Sequence, residues 1–230
     1  MLSQNRKASA AYKLALAACG TAGLLGTSGV LSGYPSPTYL LYFTNLSNIA
    51  VACYLWGAGI AELRGVNEAQ VRPWHGKVKH ALMLAITVTG IVAHFMLNGG
   101  GVMAGGTFHW EMLLLHYVAP VGMIADWLLF DRKGTMAKTE PPTWTFFPLA
   151  YVAYIYVMVL GLGFSCEAGV DFGNNMPASR FPYPFLDVDT LGAGGVAAII
   201  VALIVVFVAL GYVYVLIDHK LASKRVQQEN

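Results

Sequence analysis

The chain has 230 residues, 57% of them hydrophobic and 11% charged, with a net charge of +2 and a mean hydropathy of +0.58. Soluble domains carry roughly a quarter charged residues, so this composition excludes a soluble globule. The small net charge also excludes a nucleic-acid-binding surface.

Six apolar runs reach the ~20 residues needed to cross a bilayer: residues 12–32, 39–61, 79–98, 110–130, 145–164 and 192–217. They predict an all-α fold, a polytopic membrane protein whose residues 1–230 form a single six-transmembrane-helix bundle. The first run follows Arg6, Lys7 and Lys13 and is rich in alanine, as a signal peptide would be. Its length and the even span count favour a retained helix. A tight turn at residues 33–38 leads into the second run. There Thr44, Ser47 and Asn48 are spaced i, i+3, i+4 and share one helix face. Such a polar stripe needs partners, because hydrocarbon offers none.

Arg64, Arg72, Lys77 and Lys79 separate the second and third runs, and His94 lies near the end of the third. The connection at residues 98–107 is uncharged and glycine-rich, which predicts a flexible or surface-lying loop. The fourth run carries Glu111, His116 and Asp126. Glu111 suits the positive end of a helix, and Asp126 lies ~15 Å beyond His116, so it is expected to pair with a base near the far edge. Arg132, Lys133 and Lys138 follow. The fifth run holds Tyr151, Tyr154 and Tyr156, read as packing and cavity lining. The last connection, residues 165–191, ends in Phe181-Pro-Tyr-Pro-Phe-Leu-Asp187, a stiff aromatic segment suited to a membrane interface or a lid. Lys220, Lys224 and Arg225 follow the sixth run.

The bases alternate with the connections, so the positive-inside rule places both termini in the cytoplasm. The three cysteines make no disulfide framework. No internal repeat suggests an inverted-repeat transporter, and nucleotide or zinc motifs do not occur. The expected chemistry therefore uses no metal and no organic cofactor.

Topology gives depth. Thr44 is expected ~9 Å below the outer surface, His116 at a similar ~9 Å and His94 at ~6 Å. Thr44, Asn45, Ser47, Asn48, His94 and His116 thus form one polar layer in the outer leaflet. Each residue alone has an ordinary structural role: a hydroxyl bonded to the carbonyl four residues back, an interhelical amide, a satisfied histidine. Together a threonine beside a histidine is the minimum constellation for acyl transfer. The imidazole takes the hydroxyl proton as the oxygen attacks a carbonyl, and Asn45 or Asn48 is a candidate oxyanion donor. Asp187 can approach the layer if the last connection folds inward.

Three segments carry a family resemblance: Tyr42-Phe-Thr-Asn-Leu-Ser-Asn48; Leu114-Leu-His-Tyr-Val-Ala-Pro120 continuing to Asp126-Trp127; and Tyr183-Pro-Phe-Leu-Asp187. In these the chain resembles the six-span androgen-induced membrane threonine hydrolases, and more closely their uncharacterised bacterial relatives. The resemblance implies a membrane-embedded nucleophile and base at Thr44 and His116. It also implies cleavage of fatty acid esters of hydroxy fatty acids. The animal members tend to carry an acidic residue three positions after the threonine, where this chain has Ser47.

The resulting expectation is an intramembrane lipid-ester hydrolase. Thr44 is its nucleophile and His116 its base, with Asn45, Ser47, Asn48, His94, Tyr183 and Asp187 supporting the site or binding substrate. Its partners are a lipid or fatty-acyl ester and the bilayer, with no nucleic acid. Its location is the bacterial inner membrane, with the site toward the outer leaflet. A lipid-binding protein without turnover is the first alternative. The second is a small proton-coupled transporter using His94, His116 and Asp126.

Overall fold

The computed structural model describes residues 5–66, 74–97, 99–166 and 179–229. Among these the chain is helical with no strand, and six helices are long and apolar enough to cross a membrane. They are α1 (Arg6–Thr27), α2 (Phe43–Leu63), α3 (Trp74–Met96), α4 (Trp110–Phe130), α5 (Pro141–Gly161) and α6 (Val188–Glu229). This is the make-up of a multi-pass integral membrane protein. Arg72 and Asn98, residues 167–178 of the last connection with Glu167 and Asp171, and the side chain of Arg225 lie outside the described residues.

The helices fall on the six predicted runs, but local chemistry moves their ends. α1 starts at Arg6 rather than residue 12 because the Asn5 side chain accepts the Ala8 N–H and caps the first turn. α2 starts at Phe43 rather than residue 39. Tyr39–Leu41 forms a separate 3₁₀ turn and Tyr42 is extended, with ψ of 128°. α5 starts with Pro141, whose missing N–H is harmless in a first turn. α6 starts at Val188 and is broken at Gly192, where φ is 67° and ψ 164°.

α1 to α4 pack against one another as a four-helix core. Small residues bring the backbones close: a Cβ added at Gly59 would lie 2.8 Å from Leu14, and one at Gly122 would lie 2.5 Å from Leu16. Leu16, Leu55, Met83, Ile86, Met123 and Trp127 fill the centre. α5 and α6 flank this core against α3. They meet closely where Gly211 faces Pro141 and Trp144, and close approaches between them concentrate at that end.

At the end of the core away from Thr44, Asp126 has no solvent exposure. It pairs with Lys13 at 3.1 Å and Lys79 at 2.5 Å. Lys13 also reaches Glu62 at 3.2 Å, and Lys79 reaches Asp131 at 2.5 Å. The expected partner for Asp126 is thus two lysines. Both were predicted to flank spans at the surface; instead they are buried and tie α1 and α3 to α4.

Candidate active site

Thr44 is the second residue of α2, not a residue two turns into a span. Its burial comes from the chain folded over that helix end. The Tyr39–Leu41 turn lies on one side and residues 181–186 on the other, with Leu41, Phe43, Tyr151, Tyr183 and Leu186 packed together. The stripe residues that follow it each have a defined partner. Ser47 Oγ is 3.1 Å from the Thr44 carbonyl and 2.9 Å from Thr89 Oγ1. Asn48 Nδ2 donates to the Thr44 carbonyl at 2.8 Å and the Leu115 carbonyl at 3.3 Å. Asn45 Nδ2 donates to the Tyr39 carbonyl at 2.8 Å.

These bonds correct the expectation that Asn45 or Asn48 donates to an oxyanion. Asn48 spends both amide hydrogens on backbone carbonyls, and Asn45 spends one of its two on Tyr39, which holds the start of α2 in place. Asn48 Oδ1, by contrast, is a buried acceptor with no partner.

His116 comes from α4, which widens into a π-turn at Leu114–Val118. The cause is local: Pro120 cannot donate an N–H to the carbonyl of His116, four residues before it. That carbonyl faces α3 instead, where a Cβ added at Gly90 would lie 2.9 Å from it. Such π-turns inside α-helices often mark functional sites. His116 is 5% exposed, and its Nε2 lies 3.2 Å from Thr44 Oγ1.

The other ring nitrogen fixes the tautomer. Nδ1 lies 2.9 Å from the Gly100 carbonyl. A carbonyl only accepts, so Nδ1 carries the hydrogen and Nε2 of the neutral ring is left as an acceptor. Thr44 Oγ1–H therefore donates to Nε2, the arrangement a general base requires.

Gly99, Gly100 and Gly101 all have positive φ, at 71°, 66° and 74°. The glycine-rich connection, expected to be a flexible or surface-lying loop, is at this point a turn pressed onto the imidazole. Tyr117, next to His116, donates from its hydroxyl to the Gly99 carbonyl at 3.2 Å, and His94 Nδ1 lies 3.0 Å from the same hydroxyl. His94 is exposed and does not reach Thr44. It braces, through Tyr117, the turn that holds the His116 imidazole.

Tyr183 is 3% exposed, and its hydroxyl accepts the Thr44 N–H at 3.4 Å. Asp187 does not approach the polar layer. Its carboxylate accepts from the Asp189 and Thr190 N–H groups and the Thr190 and Ser179 hydroxyls, capping α6. Gly100 and Tyr117 are site residues that sequence reading passed over. The available signal was Pro120 four residues after a histidine, together with a run of glycines after a span.

Beside Thr44 lies a partly open apolar cleft that encloses about 70 Å³. Phe43, Val88, Val92, Leu149, Val152, Ile200, Leu203 and Phe207 line it, with Thr44, Thr89, Tyr151 and Tyr183 the polar contributors. It lies between α2 and α3 of the core and the α5–α6 arm. The chain matches no protein-family model, no curated protein and no solved structure.

Proposed function

We propose that the protein is an intramembrane lipid-ester hydrolase of the threonine type, acting on acyl esters such as fatty acid esters of hydroxy fatty acids. One observation carries the reading: Thr44 Oγ1 lies 3.2 Å from the unprotonated nitrogen of a histidine whose other nitrogen is held by Gly100, beside an apolar cavity. Thr44 Oγ attacks the ester carbonyl carbon while His116 Nε2 takes its proton. Collapse of the tetrahedral intermediate expels the alcohol, which receives that proton. Water, deprotonated by the same nitrogen, then releases the fatty acid from the acylated threonine. General-base assistance of this kind contributes ~10²–10⁴-fold.

The cavity holds the acyl chain, and the gap between α5 and α6 admits it sideways from the bilayer. The bases Arg64, Lys77, Arg132, Lys138 and Lys220 gather at the end of the bundle away from Thr44. That asymmetry supports cytoplasmic termini and a site in the outer leaflet; the bacterial inner-membrane location follows from the resemblance to bacterial relatives. A proton-coupled transporter is disfavoured because Asp126 is locked between two lysines. Buried Ala119, Pro120 and Met123 lie between it and His116 on α4.

The test is covalent labelling of the purified protein by a fluorophosphonate, with the site read by peptide mass spectrometry. Label on Thr44 that is lost in Thr44→Ala and His116→Gln supports the hydrolase. A folded wild-type protein that takes up fatty acid but never the label is a lipid-binding protein instead.

A further inference from the structure

An ester hydrolase needs a donor for the oxygen that gains charge when the carbonyl is attacked; Asn48 spends both amide hydrogens on backbone carbonyls, and Asn45 is held to the Tyr39 carbonyl. Tyr183 has the right place. Its ring is stacked on Phe185, with centroids 5.1 Å apart and planes 4° apart, and it meets Tyr42 and Tyr151 edge-on. Those contacts leave the phenol little freedom. The hydroxyl oxygen accepts the Thr44 N–H in the first turn of α2, a helix start with no side-chain cap. Helix starts carry unpaired N–H groups and the positive end of the dipole. A phenol oxygen that accepts there turns its own hydrogen elsewhere, and Tyr183 and Thr44 line the same cavity. The contact, at 3.4 Å, is long for a hydrogen bond, so the hydroxyl is only weakly committed to the Thr44 N–H.

We infer that the Tyr183 hydroxyl is the oxyanion donor of this site for neutral acyl esters, an inference that rests on the hydrolase reading above. As Thr44 Oγ bonds to the carbonyl carbon, the C=O π pair moves onto oxygen and accepts the Tyr183 hydrogen bond. The Thr44 proton is then on His116 Nε2. When the intermediate collapses the pair returns, the C–O bond to the alcohol breaks, and His116 gives the alkoxide its proton. Tyr183 stays protonated throughout. Burial raises its phenol above the ordinary value, and hydrogen bonding with Thr44 offsets part of that rise, so it remains a donor at neutral pH.

The experiment uses full-length protein in detergent, p-nitrophenyl fatty acyl esters and a fluorophosphonate. Tyr183→Phe keeps the ring and removes the donor. It is expected to lower kcat by ~10²–10³-fold with little change in KM. Phosphonylation of Thr44 should slow in proportion, because the phosphonyl oxygen occupies the oxyanion position. A second protein carries 3-fluorotyrosine at position 183, which keeps both donor and cap. It should turn over, with the alkaline limb of its pH profile moved to lower pH.

Turnover and labelling of Tyr183→Phe within roughly threefold of wild type would overturn the inference and leave the hydrolase reading standing. Activity lost together with the folded state, and no alkaline shift with fluorotyrosine, would reduce Tyr183 to a helix cap. A wild-type protein that neither turns over nor labels would remove the hydrolase reading and this inference with it.

Discussion

His116 is held by Gly100 through a hydrogen bond of 2.9 Å that no other residue type could provide in the same way. Gly100 sits at φ +66°, and a Cβ there would lie 2.6 Å from His116 Nδ1. In the proposed hydrolase, the role often filled by a carboxylate behind a catalytic histidine would fall to this backbone carbonyl, which orients the ring without adding charge. In an apolar setting that choice avoids burying an anion, which is costly unless it is paired.

Gly100→Ala is therefore expected to displace the imidazole while leaving both reactive side chains present. Left-handed backbone costs a non-glycine residue ~1–2 kcal/mol, so the protein should still fold. Ester hydrolysis should fall about 100-fold, since an ångström of misplacement can cost that much. Activity near wild type would show that the Gly100 carbonyl does not set the base.

Thr44→Ala and His116→Gln should each remove hydrolysis to the background of the assay, with melting temperatures close to wild type. Thr44→Ser keeps the hydroxyl 3.2 Å from Nε2 and should retain measurable turnover. Chromogenic ester hydrolysis beside thermal unfolding in the same detergent decides the matter. Undiminished turnover by folded Thr44→Ala excludes it as nucleophile.

The Thr44–His116 pair was legible because both residues interrupt apolar runs, and polar groups in spans stand out against hydrocarbon. The depth argument reached it by a route that needed correction. Thr44 does not sit deep in a span; residues 39–42 and 181–186 cover a helix start. The orienting group was hidden because a backbone carbonyl has no sequence signature, and Gly99–Gly101 read as slack rather than as positive-φ turns. The ion network was hidden for another reason. Counting Lys13 and Lys79 as topological bases says nothing of Asp126, which meets them only after α1, α3 and α4 pack.

That network should dominate the stability of the core. Removing one partner of a buried pair costs ~3–5 kcal/mol where the remaining charge stays uncompensated, but Glu62 still faces Lys13 and Asp131 still faces Lys79. Asp126→Ala should therefore lower the melting temperature by less than the loss of an isolated buried pair would. Lys13→Met with Asp126→Leu and Lys79→Met, which removes the central charges together, should recover part of the loss. A melting temperature unchanged in Asp126→Ala would mean that the lysines find other partners.

Asp187 offers a pH test at the start of α6. Burial pushes its carboxyl up, but bonds from Ser179, Thr190 and the Asp189 N–H outweigh this and hold it below the usual carboxylate range. A depressed folded value means the contribution is present above the unfolded value of ~3.9 and is lost as pH falls through the lower folded value. Asp187→Ala should cost ~1 kcal/mol as a lost cap. Asp187→Asn keeps the cap without titrating, so its melting temperature should fall less than wild type between about pH 5 and about pH 3. Parallel acid profiles for the two proteins would remove Asp187 from the acid response.

The cavity makes the sharpest claim about substrate. Leu203 and Phe207 stand about one turn apart along α6 within its lining, so bulk at Leu203 shortens the slot. Each buried methylene is worth ~0.8 kcal/mol. Leu203→Trp, excluding about three methylenes, should therefore cost long-chain esters roughly 50-fold in kcat/KM while leaving butyrate esters near wild type. Phe207→Ala should shift the optimum the other way. A series of p-nitrophenyl esters from four to eighteen carbons measures both shifts directly. If Leu203→Trp slows every chain length equally, the acyl group lies somewhere other than the space between α3, α5 and α6.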